Sequence, residues 1–186
     1  FTGAVIGVTG SNGKTTVKEM IAAIFRHAAT CQRTTATEPA DPVLATKGNL
    51  NNDIGVPLML LRLRPYHQYA VIEMGMNHLG EIAYLTQLAK PAVAVITNAG
   101  AAHIEGLGSV ESVARAKAEI VEGLGPHGTA VINADDPFAP LWRRCSASRS
   151  VIDFGLREAA QVTAEYQMDN ATNRMKLKLP YGDAEV

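Results

Sequence analysis

The sequence predicts an α/β fold in which helices flank a mostly parallel β-sheet. Short apolar runs alternate with segments of helical period, which is the order expected of βαβ units. The runs are apolar at consecutive positions, as strands are when helices cover both faces of a sheet. Strands are therefore predicted at residues 4–9, 69–74, 92–97 and 129–133, with a further strand at 150–154.

The connecting helices are predicted from apolar spacing and capping residues. After the first strand, apolar residues recur at i, i+3, i+4, i+7 and i+8, which predicts one buried helix stripe of Val17, Met20, Ile21, Ile24 and Phe25. Asn77 is predicted to cap a second helix, and Ser109 a third helix that runs to about residue 124. Pro137 marks the expected start of the last helix, because proline fits the first helical position.

Two segments lack a helical period. Residues 30–52 are rich in Thr, Pro, Asn and Asp and predict a long loop, and loops of this length usually serve a function. Residues 161–179 alternate between apolar and polar positions around a polar turn at 169–173. This alternation predicts a C-terminal antiparallel hairpin.

Composition narrows the class of protein. The chain has 186 residues, with 17 Lys and Arg against 18 Asp and Glu, and a net charge of −1. This balance gives no broad positive field for nucleic acid or anionic lipid, and no apolar run approaches the roughly 18 residues of a membrane span. We therefore expect no nucleic-acid partner, no membrane insertion and a cytoplasmic location. Two cysteines, Cys31 and Cys145, are too few for a disulfide framework.

The length of the chain is that of one domain. It starts almost inside its first predicted strand and without an initiator Met. We therefore expect residues 1–186 to be an excerpt of a longer protein.

A glycine-rich loop joins the first predicted strand to the first predicted helix. Its glycines let successive backbone N–H groups face an anion, and the helix adds its positive N-terminal end. A lysine here can reach β- and γ-phosphates, and the hydroxyl after it can bind Mg²⁺. Val8 stands where the longer form of the pattern has a glycine, so an ordinary glycine turn is the alternative. The flanking strand and helix favour nucleotide-phosphate binding by the whole loop, which comprises Gly10, Ser11, Asn12, Gly13, Lys14, Thr15 and Thr16.

One lysine falls on the apolar face of a predicted helix. At about 100° per residue, Lys117 shares a face with Val113, Ile120 and Leu124. Its ammonium could snorkel to water. Alternatively, burial would favour the neutral amine, which can react with CO₂ to form a carbamate whose oxygens suit Mg²⁺. Periodicity alone leaves both interpretations open.

Polar residues follow several predicted strands, at the edge of a parallel sheet where ligands usually bind. Glu73 could complete a Mg²⁺ shell or lie at a solvated strand end, and His103 could be a ligand or a structural histidine. The amide of Asn133 could read an adenine edge, and a carboxylate at Asp135 or Asp136 could hold a ribose hydroxyl. A turn or a helix cap explains these last residues equally well.

Five segments, taken in order, resemble the central, ATP-binding domain of the Mur ligase family. They are the phosphate loop and residues 47–57, 73–82, 98–103 and 116–119. The segment Glu73-Met74-Gly75-Met76-Asn77, continued by Gly80-Glu81-Ile82, is similar to one branch of the family. That branch adds D-alanyl-D-alanine to a UDP-N-acetylmuramoyl tripeptide, and it is the activity that the resemblance implies.

The resemblance also implies a mechanism and roles for residues of this chain. The reaction would be ATP-dependent amide-bond formation through an acyl phosphate. Lys14 and the loop amides would hold the β- and γ-phosphates, and Thr15 with Glu73 would bind one Mg²⁺. His103 and a carbamylated Lys117 would hold a second Mg²⁺.

Further implications concern the nucleotide base and the rest of the protein. Asn133 would contact adenine. The N-terminal UDP-substrate domain and the C-terminal Rossmann-like domain of the family would lie outside this chain, and we expect a monomer. The alternatives are another Mur-type ligase, a folylpolyglutamate synthase-like ligase, a P-loop kinase or NTPase, and a nucleotide-binding scaffold without catalysis.

Overall fold

The computed structural model describes residues 1–31, 41–101, 104–168 and 173–185. It contains a six-stranded parallel sheet and a three-stranded antiparallel sheet. The strands of the large sheet are β1 (Ala4–Thr9), β2 (Val43–Ala45), β3 (Tyr69–Glu73), β4 (Val93–Ile96), β5 (Thr129–Asn133) and β6 (Ser150–Phe154). Their order is β2-β3-β1-β4-β5-β6, so β1 lies inside the sheet. The predicted α/β class with a mostly parallel sheet is confirmed.

Helices cover both faces of the large sheet. They are α1 (Lys14–Cys31), α2 (Gly55–Leu60), α3 (Glu81–Ala89), α4 (Ile104–Leu107), α5 (Val110–Ala118) and α6 (Ala139–Cys145), with a 3₁₀ helix at Glu119–Gly123. Helix α1 packs against β1, β2 and β3 on one face. Helices α2, α3, α5 and α6 contribute to the larger core on the other face, where Trp142 is fully buried. The Trp142 indole donates to the Ala114 carbonyl at 2.9 Å and links α6 to α5.

The buried face of α1 agrees with the predicted stripe only in part. Met20 and Ile24 are 60% and 65% exposed, whereas Lys18, Ala22 and Ala29 are buried. Val17, Ile21 and Phe25 of the predicted stripe are partly buried and pack against the sheet, so the prediction is confirmed for these three residues and wrong for Met20 and Ile24. Small alanine side chains let the helix lie close to the sheet, and the apolar spacing alone did not indicate this preference.

Two predicted helix starts have different outcomes. Ser109 caps α5 as predicted, because its hydroxyl accepts a hydrogen bond from the Ser112 amide at 3.1 Å. Asn77 does not cap α3. Gly80, with a φ of 86° that disfavours other residues, precedes that helix, and the Glu119 carboxylate accepts from the Gly80 amide at 2.8 Å. A carboxylate from another element thus replaces the local cap.

Of the two segments without helical period, the first is more structured than predicted and the second contains the predicted hairpin. The predicted loop at 30–52 contains β2, whose three residues are too few to show a period, and residues 32–40 lie outside the described ones. The predicted hairpin is confirmed as β7 (Thr163–Met168) paired antiparallel with β8 (Asn173–Lys178). Its turn at 169–172 is outside the described residues, and β9 (Ala184–Glu185) adds a third strand.

In the part of the chain that the structure describes, no helix combines the length and the apolarity needed to cross a membrane.

Candidate active site

The carboxyl ends of β3, β1, β4 and β5 lie along one edge of the parallel sheet. The register pairs Val8 of β1 with Glu73 of β3, and Thr9 of β1 with Ile96 of β4. The phosphate loop follows β1, Glu73 ends β3 and Asn133 ends β5. These predicted site residues therefore share the edge at which open parallel sheets bind ligands.

The phosphate loop needs both of its glycines. Gly10 has a φ of 152°, and a Cβ at this position would overlap the Thr97 hydroxyl. Gly13 has a φ of 78°, which residues with a Cβ rarely adopt. Helix α1 begins at Lys14, so the amide hydrogens of its first turn have no partner within the helix. This geometry is typical of an anion site at a helix N-terminus.

The segment after β4 holds the phosphate loop in place. The Asn98 side chain accepts from the Asn12 amide at 2.9 Å and donates to the Asn12 carbonyl at 3.0 Å. The Thr97 hydroxyl donates to the same carbonyl at 2.7 Å, and the Gly100 amide donates to the Ser11 hydroxyl at 2.9 Å. The loop is therefore preorganised by residues about 85 to 90 positions away in sequence, and no local pattern in the sequence predicts these contacts.

Lys14 folds back over the loop. Its ammonium donates to the Gly10 carbonyl at 2.7 Å and to the Ser11 carbonyl at 3.4 Å. Partial burial lowers the pKa of Lys14 below its ordinary value, and the nearby Glu73 carboxylate opposes this effect. The cation thus lies at the loop that is predicted to bind phosphate.

A buried carboxylate lies beside the loop. Glu73 is 2% exposed, and its two carboxylate oxygens accept from the Thr15 hydroxyl and from the Asn51 amide, each at 2.9 Å. Thr15 and Glu73 are hard oxygen donors of the kind that Mg²⁺ prefers. Mg²⁺ usually takes one or two protein oxygens together with substrate phosphates, so this pair next to the phosphate loop fits the ion. Asn51 belongs to the segment 47–57, but no spacing rule predicted its contact with Glu73.

Lys117 does not snorkel. The residue is 2% exposed, and its neighbours on the helix face, Val113, Ile120 and Leu124, are 0%, 0% and 3% exposed. Burial is the main cause that lowers its pKa to about 7, and the positive charge of Lys14 lowers it further. At neutral pH the Lys117 side chain is therefore a neutral amine in a substantial fraction of the molecules. His103, its predicted partner at the metal, lies outside the described residues.

The low pKa predicts a specific dependence of stability on pH. Between about pH 7 and 10.5 the unfolded chain holds a proton on Lys117 that the folded chain has lost. The free energy of unfolding of the wild type should therefore rise with pH across this window relative to Lys117→Met, by at most about 1.4 kcal/mol per pH unit. Urea unfolding in CO₂-free buffer measures the difference, with Lys176→Met as an exposed-lysine control. A difference that is independent of pH would contradict the low pKa.

The amide of Asn133 is used inside the protein. Its nitrogen donates to the Thr97 carbonyl at 2.9 Å, and its oxygen accepts from the Asp135 amide at 3.0 Å. These contacts tie the end of β5 to the end of β4 and form a turn. The adenine contact stays a prediction, because it requires Asn133 to exchange or share one of these bonds.

The two carboxylates that follow Asn133 also have structural partners. Asp135 accepts from the three successive amides of residues 156–158 at 2.8 to 2.9 Å, and the Glu158 amide contributes most to its lowered pKa. Asp136 is buried and accepts from the Ala99 and Phe138 amides, each at 2.8 Å. The turn-and-cap interpretation is therefore the one that the structure supports for both.

Thr16 completes the predicted set. It lies in the first turn of α1 and is exposed, and no hydrogen bond of its side chain is found among the described residues.

The site combines a glycine-rich anion loop, which joins a central strand to a helix, with an acidic residue at the end of the neighbouring strand. These two features define a nucleotide-binding domain of the P-loop class. Residues 8–186 match the family model described as the Mur ligase middle domain. The chain belongs to the Mur ligase family.

Curated relatives support a closer comparison. The UDP-N-acetylmuramoyl-tripeptide–D-alanyl-D-alanine ligase of Haemophilus influenzae is 41% identical over 181 residues, which are 97% of this chain and 37% of that protein. The enzyme of the same name from Escherichia coli is 44% identical over 184 residues, or 98% of this chain and 38% of that protein. The chain thus spans well under half the length of the curated relatives it matches.

Solved structures of MurF enzymes are also similar to this chain. A crystal structure of MurF from Acinetobacter baumannii matches with a TM-score of 0.86 and 40% identity, over 98% of this chain and 38% of that one. MurF ligase from Thermotoga maritima, solved in complex with ADP, matches with a TM-score of 0.82 and 30% identity, over 100% of this chain and 40% of that one.

Proposed function

We propose that this chain is the ATP-binding domain of a ligase that joins D-alanyl-D-alanine to a UDP-N-acetylmuramoyl tripeptide, a step in peptidoglycan precursor synthesis. The observation that carries the proposal is the contact of the phosphate-loop Thr15 hydroxyl with the buried Glu73 carboxylate at 2.9 Å. This pair, beside Lys14, provides a Mg²⁺–phosphate site. The names of the full-length relatives supply the substrates.

The reaction divides into two balanced steps. An oxygen of the tripeptide carboxylate attacks the γ-phosphorus of ATP, the bond to the β-phosphate oxygen breaks, and ADP leaves. The amine of D-alanyl-D-alanine then attacks the acyl carbon of the acyl phosphate, inorganic phosphate leaves with its electron pair, and the amine loses a proton. The free energy of ATP cleavage to ADP and phosphate thus drives formation of the amide bond.

Residues of this chain reduce the repulsion between the two anions that react in the first step. A carboxylate and a γ-phosphate repel each other, so cations must neutralise both before they can meet. The first-turn amides of α1 bind phosphate oxygens, and Lys14 adds a positive charge beside them. Thr15 and Glu73 would hold Mg²⁺ at the same place. When bound, the ion supplies charge neutralisation and orientation of the phosphate.

Lys117 would hold a second Mg²⁺ with His103 after reaction with CO₂. The neutral amine attacks the carbon of CO₂, a C–N bond forms and one proton leaves to solvent. Burial and a pKa of about 7 supply the neutral amine that this step needs at neutral pH. The resulting carbamate is an oxygen anion on a long stem, and such ligands suit Mg²⁺.

The remaining proposals concern the rest of the protein and its surroundings. The relatives are more than twice as long as this chain, which supports a UDP-substrate domain before it and a Rossmann-like domain after it. We also propose an adenine contact of Asn133, a monomeric protein and a cytoplasmic location, where ATP is available. The net charge of −1 supports the absence of a nucleic-acid partner.

The experiment that tests the function measures product and ADP release by the full-length protein. With ATP, Mg²⁺, D-alanyl-D-alanine and a UDP-N-acetylmuramoyl tripeptide, ADP release over many turnovers should require both other substrates, because the acyl phosphate must be consumed before the next turnover, and mass spectrometry should find the pentapeptide product. Tripeptides that end in diaminopimelate or in lysine should be offered separately. ADP release without either substrate would indicate an NTPase, and ligation of another amino acid would indicate a different Mur-type ligase.

A further inference from the structure

A second lysine of the site region is buried, in helix α1. Lys18 is 1% exposed, and it lies three residues after Thr15 on the same side of the helix. Its ammonium donates to the Thr46 carbonyl at 2.7 Å and forms an ion pair with Glu19 at 2.8 Å. A signal for its burial exists in the sequence, because Lys18 is spaced i, i+4 and i+11 with Ala22 and Ala29.

Thr46 follows β2 and connects Lys18 to the acidic strand end. The residue is 1% exposed, and its hydroxyl accepts from the backbone amide of Glu73 at 2.9 Å. Its own amide donates to the Val71 carbonyl at 3.0 Å. Thr46 is thus bonded to α1 through its carbonyl and to β3 through its amide and hydroxyl.

The contacts form a closed ring around the proposed metal pair. Lys18 bonds to Thr46, Thr46 to the Glu73 backbone, and the Glu73 carboxylate to Thr15, one turn before Lys18 on α1. Helix α1 is joined to β3 twice, because Thr15 contacts Glu73 directly and Lys18 contacts it through Thr46. The helix and the strand therefore cannot move apart without breaking at least one of these hydrogen bonds. The ring therefore determines the separation of the Thr15 hydroxyl from the Glu73 carboxylate.

We propose that Lys18 is a positioning residue that sets the Thr15–Glu73 pair at the spacing at which it binds Mg²⁺ together with nucleotide. This inference rests on the proposed function. The ion pair alone does not explain the burial of Lys18, because Glu19 is 58% exposed and exposed carboxylates contribute little to ion-pair stability. The carbonyl of Thr46 is the buried partner that compensates the ammonium.

The test compares ADP binding by the full-length protein with and without Mg²⁺. Lys18→Met keeps an unbranched side chain that is shorter by one heavy atom and removes the donor. In EDTA, calorimetry should find an ADP Kd within about twofold of the wild type, because the loop amides and Lys14 are retained. With Mg²⁺, the gain in affinity that the wild type shows should fall by about tenfold or more, as it does when groups that orient a metal ligand are lost. Electron paramagnetic resonance of Mn²⁺ with ADP gives an independent measure of metal affinity.

Two further variants make the result specific. Thr46→Val retains the carbonyl that Lys18 contacts and removes only the hydroxyl that accepts from Glu73, so it should show the same metal-specific loss. Glu19→Gln removes only the exposed ion-pair partner and should bind ADP like the wild type, both in EDTA and with Mg²⁺. If Lys18→Met fails to fold, Lys18→Arg takes its place, because it retains the positive charge but presents its donors to the Thr46 carbonyl in a different geometry and should show the same metal-specific loss.

The contrary outcomes are separable. An equal loss of ADP affinity with and without Mg²⁺, or no loss at all, in folded Lys18→Met would overturn the positioning role. A wild-type protein that binds ADP no tighter with Mg²⁺ would instead contradict the proposed metal pair, and the inference would fall with it.

Discussion

Replacement of Lys14 by alanine is expected to lower kcat for ATP-dependent ligation by at least about 10²–10³-fold. The ammonium lies over the phosphate loop, where it donates to the Gly10 carbonyl at 2.7 Å. Hydrogen bonds from this ammonium to phosphate oxygens would be charge-assisted and would strengthen as negative charge develops during transfer. Coupled measurement of ADP release by the full-length protein gives kcat and the KM for ATP.

The Lys14→Ala variant should also change the chemistry of Lys117. The positive charge of Lys14 contributes to the low pKa of Lys117, so its removal should raise that pKa above about 7. Less neutral amine would then be present at pH 7, and less carbamate should form. Lys176→Ala, an exposed lysine on the small antiparallel sheet, is the matched control for loss of one positive charge. A Lys14→Ala enzyme with wild-type kcat would contradict the phosphate-binding role of the loop.

Lys117→Ala is expected to be nearly inactive in ligation while it still binds nucleotide. The residue is buried beside Val113 and Ile120, and alanine removes the amine that we propose is carbamylated. Short carboxylates such as acetate or formate should restore part of the activity, because they can enter the vacated space and supply an oxygen ligand for Mg²⁺. Turnover measured against carboxylate concentration should rise and saturate.

Arg115→Ala is the matched control for Lys117→Ala. It lies on the same helix, is 61% exposed and pairs only with Glu111 in the part of the chain that the structure describes, so its loss should leave turnover near the wild-type value. With ¹³C-bicarbonate, the wild type should show a carbamate resonance that Lys117→Ala lacks. Full activity of Lys117→Ala would exclude a metal-binding role, and a free amine in nucleotide-bound, bicarbonate-supplemented protein would contradict the carbamate.

Local patterns predicted much of this molecule. Five of the six parallel strands were predicted within one or two residues, because a strand buried on both faces is a continuous apolar run. The glycine-rich loop was predicted as well, and Gly10 and Gly13 both have the positive φ that glycine adopts readily. Helical period placed Lys117 on an apolar face but left open whether its ammonium reaches water. Its burial and its lowered pKa came from the structure.

Contacts between distant residues decided the rest. The sequence did not indicate that Glu119 caps α3, that Asn98 braces the phosphate loop, or that Asn51 and Lys18 support the acidic strand end. Each of these contacts joins different elements of the fold, and their hydrogen bonds form only when the strands and helices are packed. Periodicity reports which face of an element is apolar, but the partner of a buried polar group is chosen by the tertiary arrangement, because such a group must find a hydrogen bond wherever the fold places it.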